Sequence, residues 1–295
     1  MTTTAPSPPV KRPRVQAWSS WLIEALVGQW RSIVEYFRTR EPTFRVALLP
    51  MLAIVTLAYV RPPNTNYIFD EQEALLGNPY VNQKYQYEDA IYRDFWGLPP
   101  NASIGSYRPI PDMIWRGWVE AGERAQRAVD KYASPALQQK LRQPVPDQPP
   151  ETLDTRFRHP FFQQFFNLIF HGICGALFTA MAWRVSRRRL AAWLTGLTFV
   201  TAAILTEAVS GVVGLADILG GLGALLALAA LDLRAHAMPF GVFLALSLGL
   251  FSKESAIVCV PLVPVAALLF SPVLHPHKPA RVARALLAAM GALAA

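Results

Sequence analysis

The sequence predicts an all-α, polytopic membrane protein with one long polar excursion. Three observations carry that expectation. Hydrophobic residues are 53% of the 295 and charged residues 16%, against about 25% charge in an ordinary soluble domain. Apolar segments recur at 44–60, 161–183, 190–205, 211–231, 239–251, 256–271 and 282–295, several of them close to the ~20 residues a helix needs to cross hydrocarbon. Lys and Arg gather in the connections between segments, as membrane orientation requires. This composition excludes a disordered chain, which would lack the apolar content. It excludes a disulfide-framed secreted domain too, because the two cysteines, Cys174 and Cys259, sit inside apolar stretches and read as small buried hydrophobes. A net charge of +8 raises nucleic acid as a partner. No recognition motif accompanies it, so none is expected.

Residues 1–43 read as a cytoplasmic tail and an amphipathic interfacial helix. The Thr/Pro/basic start has no apolar core for a signal peptide. Trp18, Leu22, Leu26, Trp30, Ile33 and Phe37 then recur at helical spacing with Glu24, Arg31 and Glu35 between them. That pattern fits a helix packed on protein or one lying on a membrane surface. Residues 44–60 form the first transmembrane helix, short and with Arg45 at its edge. Residues 61–160 are a long non-cytoplasmic loop with an acidic pair, amphipathic helices and a stiff Pro-rich stretch at 143–150. Residues 161–295 are a multi-helix transmembrane bundle whose last apolar segment is too short for an ordinary span, which reads as an incomplete bundle.

Orientation follows from loop charge. Lys11, Arg12, Arg14, Arg31, Arg38 and Arg40 precede the first span; Arg184 and Arg187, Arg188, Arg189 fill a later connection; Lys278, Arg281 and Arg284 fill the last. The connections around Thr206 and Lys253 are poor in cations. The alternation places the N-terminus in the cytoplasm and 61–160 on the opposite face. Abundant Ala, Gly and Arg fit a GC-rich bacterial source and hence a plasma membrane.

Five groups of residues have the chemistry for a site. Asp70-Glu71 follows the first span. It is either a solvated loop start or a general base whose basicity rises with partial desolvation. Asp94 and the run Ser106-Tyr107-Arg108-Pro109 lie in an aromatic loop. Arg108 can clamp a phosphate bidentately or pair with Asp94 or Asp112. Asn167 and His171 are four apart on one helix face, for helix-helix hydrogen bonding or a site. Glu207 ends the third span, and Asp217 falls within the next apolar segment. A central charge there costs about 2.5–3.5 kcal/mol on insertion scales, so Asp217 must face protein or water. Lys253 and Glu254 interrupt apolar sequence at an interfacial turn or where a lipid phosphate would sit.

In order, Asp70-Glu71, Asn78-Pro79, Asp94-Phe-Trp-Gly97, Ser106-Tyr-Arg-Pro109, Asn167 with His171, Thr206-Glu-Ala-Val209, Gly211-Val-Val-Gly214 with Asp217, and Lys253-Glu254 resemble the transmembrane and tetratricopeptide-repeat family of O-mannosyltransferase-like proteins. The resemblance implies a GT-C helix bundle. It implies a glycosyltransferase that moves a mannose-like sugar from a polyprenyl-phosphate carrier to a hydroxyl, a protein Ser or Thr, with inversion. It gives the base role to Asp70, with Glu71 supporting. Arg108 and Lys253 are assigned to the donor phosphate on charge and predicted side alone. Asp94, Tyr107, Asn167, His171, Glu207, Asp217 and Glu254 remain further site candidates. No metal or other cofactor is expected, because no compact ligand cluster appears; the partners are the lipid-linked sugar, a protein acceptor and the bilayer.

Three departures stand out. The family's His-Pro-x-His before Thr-Glu is Ala202-Ala-Ile-Leu205, its Arg before Ala-Asp is Leu215, and the outer loop is longer after Arg108. No 34-residue repeat is visible. The absent histidines motivate a second expectation, a non-catalytic scaffold of the same fold. A transporter is a third, resting on short Gly/Pro-interrupted apolar segments.

Overall fold

The computed structural model describes residues 14–60, 67, 70–141, 158–234, 236–274 and 278–295. The tail before residue 14 and the Pro-rich stretch at 143–150 lie outside them. Among the described residues the regular structure is helical throughout. The protein is an all-α, polytopic membrane bundle. Two helical stretches, Pro160–Ser186 and Val212–Ala230, have the length and apolarity to cross a bilayer, and a bent pair ending at Ser210 makes a third when counted as one span.

Helix α1 (Arg14–Thr39) covers the amphipathic segment. Its end is docked: the Tyr36 hydroxyl donates to the Val46 carbonyl at 2.6 Å, and the Phe37 ring meets Trp193 edge-on with centroids 4.6 Å apart. Further back, Trp30, Ile33 and Val34 are exposed. The packed reading therefore holds for the end of this helix.

Helix α2 (Phe44–Tyr59) buries Ala47, Met51, Val55 and Tyr59, one stripe at a spacing of four. Leu49 and Leu57 are exposed on the other side, as expected where the surroundings are hydrocarbon rather than water. The stripe packs on α5 (Pro160–Ser186). At Gly172 of α5 a Cβ would lie 2.6 Å from a Leu52 methyl, so the two backbones approach closely because a small residue is there.

Helix α6 (Arg189–Val200) returns beside α5. The apolar segment predicted at 190–205 does not continue as one helix. It passes through a short turn at Ala203–Leu205 into α7 (Thr206–Ser210), with a bend of 42°. Another turn, Val212–Gly214, precedes α8 (Leu215–Ala230). The break is possible because side chains from elsewhere satisfy the freed backbone groups. The Asn167 amide donates to the carbonyls of Ala208 and Gly211, and Glu71 Oε1 accepts from the Val212 N–H at 2.6 Å.

The excursion between α2 and α5 is folded. It carries a π-turn at Gln72–Gly77, a 3-10 turn at Tyr87–Tyr92, α3 (Pro109–Tyr132) and α4 (Pro135–Leu141). Helix α3 buries Trp115, Val119 and Gly122 and presents Glu120 and Glu123 to Arg116, Arg124 and Arg127 at spacings of four. The second half of the bundle is α8, α9 (Met238–Leu250), α10 (Cys259–Leu274) and α11 (Lys278–Ala294) around their own apolar core.

Candidate functional site

A cavity of about 810 Å³ lies at the end of the bundle where α2 leaves and α5 enters. That volume is in the range of pockets that hold small organic ligands. Its walls come from three parts of the chain. The excursion supplies Asp70, Glu71, Phe95, Trp96 and 104–106 with Arg108. The broken stretch supplies Ile204, Leu205, Glu207, Ala208, Gly211, Val213, Gly214 and Asp217. The turn after α9 supplies Lys253 and Glu254.

The loop around Asp94 is wound on that carboxylate. Its oxygens accept from the N–H groups of Trp96, Leu98 and Ile104 at 3.1, 2.8 and 3.2 Å, so Asp94 shapes the loop from beneath. Gly97 holds a positive φ of 75°, and a Cβ there would lie 2.3 Å from Asn78 Oδ1. That amide oxygen is already used, accepting from Tyr80 N–H and Val81 N–H. The loop is then tied to the bundle. Glu254 accepts from Arg108 Nε at 3.0 Å, from the Tyr107 N–H at 3.1 Å and from Ser106 Oγ at 3.3 Å, and the Ile110 N–H donates to the Phe251 carbonyl. The Arg108 guanidinium also lies 4.7 Å from the centre of the Phe95 ring, a cation-π arrangement.

Both cations of the cavity are therefore held. Arg108 pairs with Glu254, not with Asp94 or Asp112, because the turn after α9 brings Glu254 directly under it. Lys253 Nζ pairs with Asp217 at 3.1 Å. Asp217 is in the first turn of α8, at the cavity mouth rather than mid-segment, and is half-exposed. Of the five carboxylates in the lining, three are engaged: Glu71 with the Val212 N–H, Asp217 with Lys253, and Glu254 with Arg108. Asp70 and Glu207 are exposed and have no hydrogen bond or ion pair among the described residues.

Other sequence candidates lie outside the lining. Tyr107 donates its hydroxyl to the Ile91 carbonyl. Asn167 supports the broken stretch. His171 is buried, with Nε2 3.2 Å from the Val200 carbonyl. Near the excursion's base, burial pushes the Tyr67 phenol up, the Glu71 charge adding to the rise and Arg158 opposing it. Among the described residues no three His, Cys, Asp or Glu side chains converge as metal ligands. Trp96, Ile104, Ile204 and Leu205 also line the cavity; the sequence shows them only inside longer runs, with no site role of their own. Leu205 stands where the resemblance pattern carries a histidine.

Comparison with known proteins gives three relatives. The chain is 26% identical over 237 residues to human protein O-mannosyl-transferase TMTC4, covering 72% of this chain and 28% of that protein. It is 26% identical over 178 residues to the mouse TMTC4, 55% of this chain and 20% of that protein. It is 26% identical over 186 residues to Xenopus laevis protein O-mannosyl-transferase tmtc2, 62% and 18%. The chain is a distant relative of the protein O-mannosyl-transferases. It spans less than a third of the length of each of these relatives. No family model and no solved structure matches.

Proposed function

We propose that this chain is the membrane part of a glycosyltransferase that moves a mannose-like sugar from polyprenyl phosphate to a hydroxyl, a protein Ser or Thr. The reading places the cavity on the non-cytoplasmic face, with the N-terminus in the cytoplasm of a bacterial plasma-membrane protein. One observation carries it. Asp70, Arg108 and Lys253, far apart in sequence, line one cavity at one end of the bundle, and Asp70 is the carboxylate of the acidic pair with no hydrogen bond or ion pair among the described residues. The O-mannosyl-transferase relatives support the choice of sugar transfer.

The chemistry needs a base because a serine or threonine hydroxyl does not ionise beforehand. Its oxygen attacks the anomeric carbon opposite the phosphate, and the carbon–oxygen bond to phosphate breaks. The bonding pair leaves on the phosphate, the hydroxyl proton goes to Asp70, and the anomeric centre inverts. The departing phosphate gains a charge. Arg108 and Lys253 meet that charge by exchanging Glu254 and Asp217 for it, a gain that grows toward the transition state. Glu71 stays with the Val212 N–H and fixes where Asp70 stands.

The test uses the full-length protein in liposomes with polyprenyl-phosphate mannose and a Ser/Thr peptide. Asp70→Asn is expected to lower transfer by roughly 10²–10⁴-fold, while Glu207→Gln, the other free carboxylate, costs less than about tenfold. Undiminished turnover in Asp70→Asn overturns the base assignment. A second reading, a non-catalytic scaffold, is favoured by Leu205 in the lining and by two cations already neutralised. A lipid-linked sugar that co-purifies with the protein counts against it.

A further inference from the structure

At the opposite end of the bundle from the cavity, where α1 ends and α6 begins, a groove of about 530 Å³ runs between α1, α2 and α6. Val34, Phe37, Met51, Ile54, Leu190, Trp193, Leu194 and Leu197 line it, and the charged groups in the lining are Arg38 and Arg189. The two arginines lie together, since Arg189 Nη1 donates to the Arg38 carbonyl at 3.2 Å. Neither guanidinium has a carboxylate partner among the described residues. Trp193, in the same lining, has a buried indole N–H with no acceptor among the described residues. An apolar trough closed by two guanidiniums without carboxylate partners matches a molecule with a hydrocarbon chain and an anionic head.

We propose that this groove is a binding site for an anionic phospholipid, one acyl chain along α6 and the headgroup phosphate between Arg38 and Arg189. A zwitterionic lipid presents the same chain but cancels the phosphate with its own ammonium, so the arginines select against it. Arg187 and Arg188, exposed beside the groove mouth, add to the same field. The proposal is independent of the sugar-transfer reading, because none of its residues lines the cavity. Its consequence is that α1, docked through Phe37 and Tyr36 but exposed at Trp30 and Ile33, is fixed to the bundle in anionic membranes.

The test is retention of lipid by the full-length protein, delipidated in detergent and titrated with mixed micelles of phosphatidylglycerol or phosphatidylcholine, read by native mass spectrometry. Preference for phosphatidylglycerol is expected in the wild type. The double variant Arg38→Gln/Arg189→Gln is expected to lose about 30-fold of that preference, about 2 kcal/mol at two arginines. Leu194→Trp, which fills the trough and leaves both charges, is expected to lose phosphatidylglycerol as well. Phosphatidylglycerol with brominated chains is expected to quench the wild type more than Trp193→Phe. Equal retention of the two lipids by the wild type overturns the proposal. So does a double variant with unchanged preference, inorganic phosphate that competes as well as lipid, or a groove occupied by a second copy of the chain.

Discussion

Among the described residues, ten of the twelve buried polar or charged side chains lie in the excursion, in α3 or in α5, and two, Ser252 and Arg281, lie in the half built from α8 to α11. The first half is held by directed bonds into backbone: Asn167 to the broken stretch, Gln164 to the Tyr59 carbonyl at 2.8 Å, Asn78 to Phe95. Close approach brings α5 onto α2 at Gly172 as well, but in the second half it stands with few directed bonds. A Cβ at Gly223 would lie 2.5 Å from the Gly249 nitrogen, and the core there is rich in alanine, from Ala227 to Ala292. Directed bonds fix where irregular backbone goes, and irregular backbone lines the cavity. Small-residue packing gives α8 a firm backing. Polar cost is accepted where geometry has to be specified, and avoided where helices need only to stay together.

The contrast predicts where each half is fragile. The largest expected effect is in the second half. Gly223→Leu has no space between α8 and α9, so overpacking is expected to cost about 1–3 kcal/mol or more. Thermal unfolding of the full-length protein in detergent measures it. A neutral Gly223→Leu breaks the comparison, because close approach would then not be what holds α8 to α9.

Several buried polar atoms of the first half lack a hydrogen-bond partner among the described residues, and the carboxylate among them is the one that titrates. Asp112, in the first turn of α3, is buried, and its Oδ1 has no hydrogen-bond partner. Burial pushes its carboxyl well above the usual carboxylate range, the nearby Asp94 adds to the rise, and Arg108 and Asn78 oppose it. A raised folded value means that its contribution to stability is fully present below the unfolded value near 3.9 and is lost as pH climbs through the folded one. Asp112→Asn is therefore expected to stabilise the protein at pH 8, on the order of 1 kcal/mol, and to change little at pH 4. Melting temperatures measured from pH 4 to pH 8 check both ends. A variant that is less stable at pH 8 would show the charge to be used rather than tolerated.

Much of this was legible in the sequence. The apolar segments gave the order of the helices, and the helical spacing from Trp18 to Phe37 gave α1, but the buried stripe of Ala47, Met51, Val55 and Tyr59 on α2 came only with the structure. The breaks in 200–214 were not legible, since apolar composition continues through them; what holds the broken backbone is Asn167 and Glu71, 41 and 141 residues away in the chain. Pairing was hidden for the same reason. Arg108 had Asp94 and Asp112 nearby in sequence, but its partner is Glu254, brought by the turn after α9. The apolar part of the lining left no trace either, because an exposed Ile204 reads as any lipid-facing residue until the bend turns it toward the cavity.

The smallest expected change in stability separates a brace from a floor. Asn167→Leu keeps shape and removes the amide that holds the Ala208 and Gly211 carbonyls. Hydrogen bonds inside membranes average about 0.6 kcal/mol in mutational cycles, so the melting temperature should hardly move. The freed segment carries Glu207, Gly211 and Gly214 of the cavity lining, however, and the Gly211 carbonyl is then left with the Gly214 N–H at 3.2 Å. Hydrogen exchange over 203–214 should rise at unchanged global stability, with exchange in α9 and α11 unaffected. Equal exchange in wild type and variant would mean that the broken stretch is held by its packing on α2 and α5. The directed bond would then be an ornament of the first half rather than its organising contact.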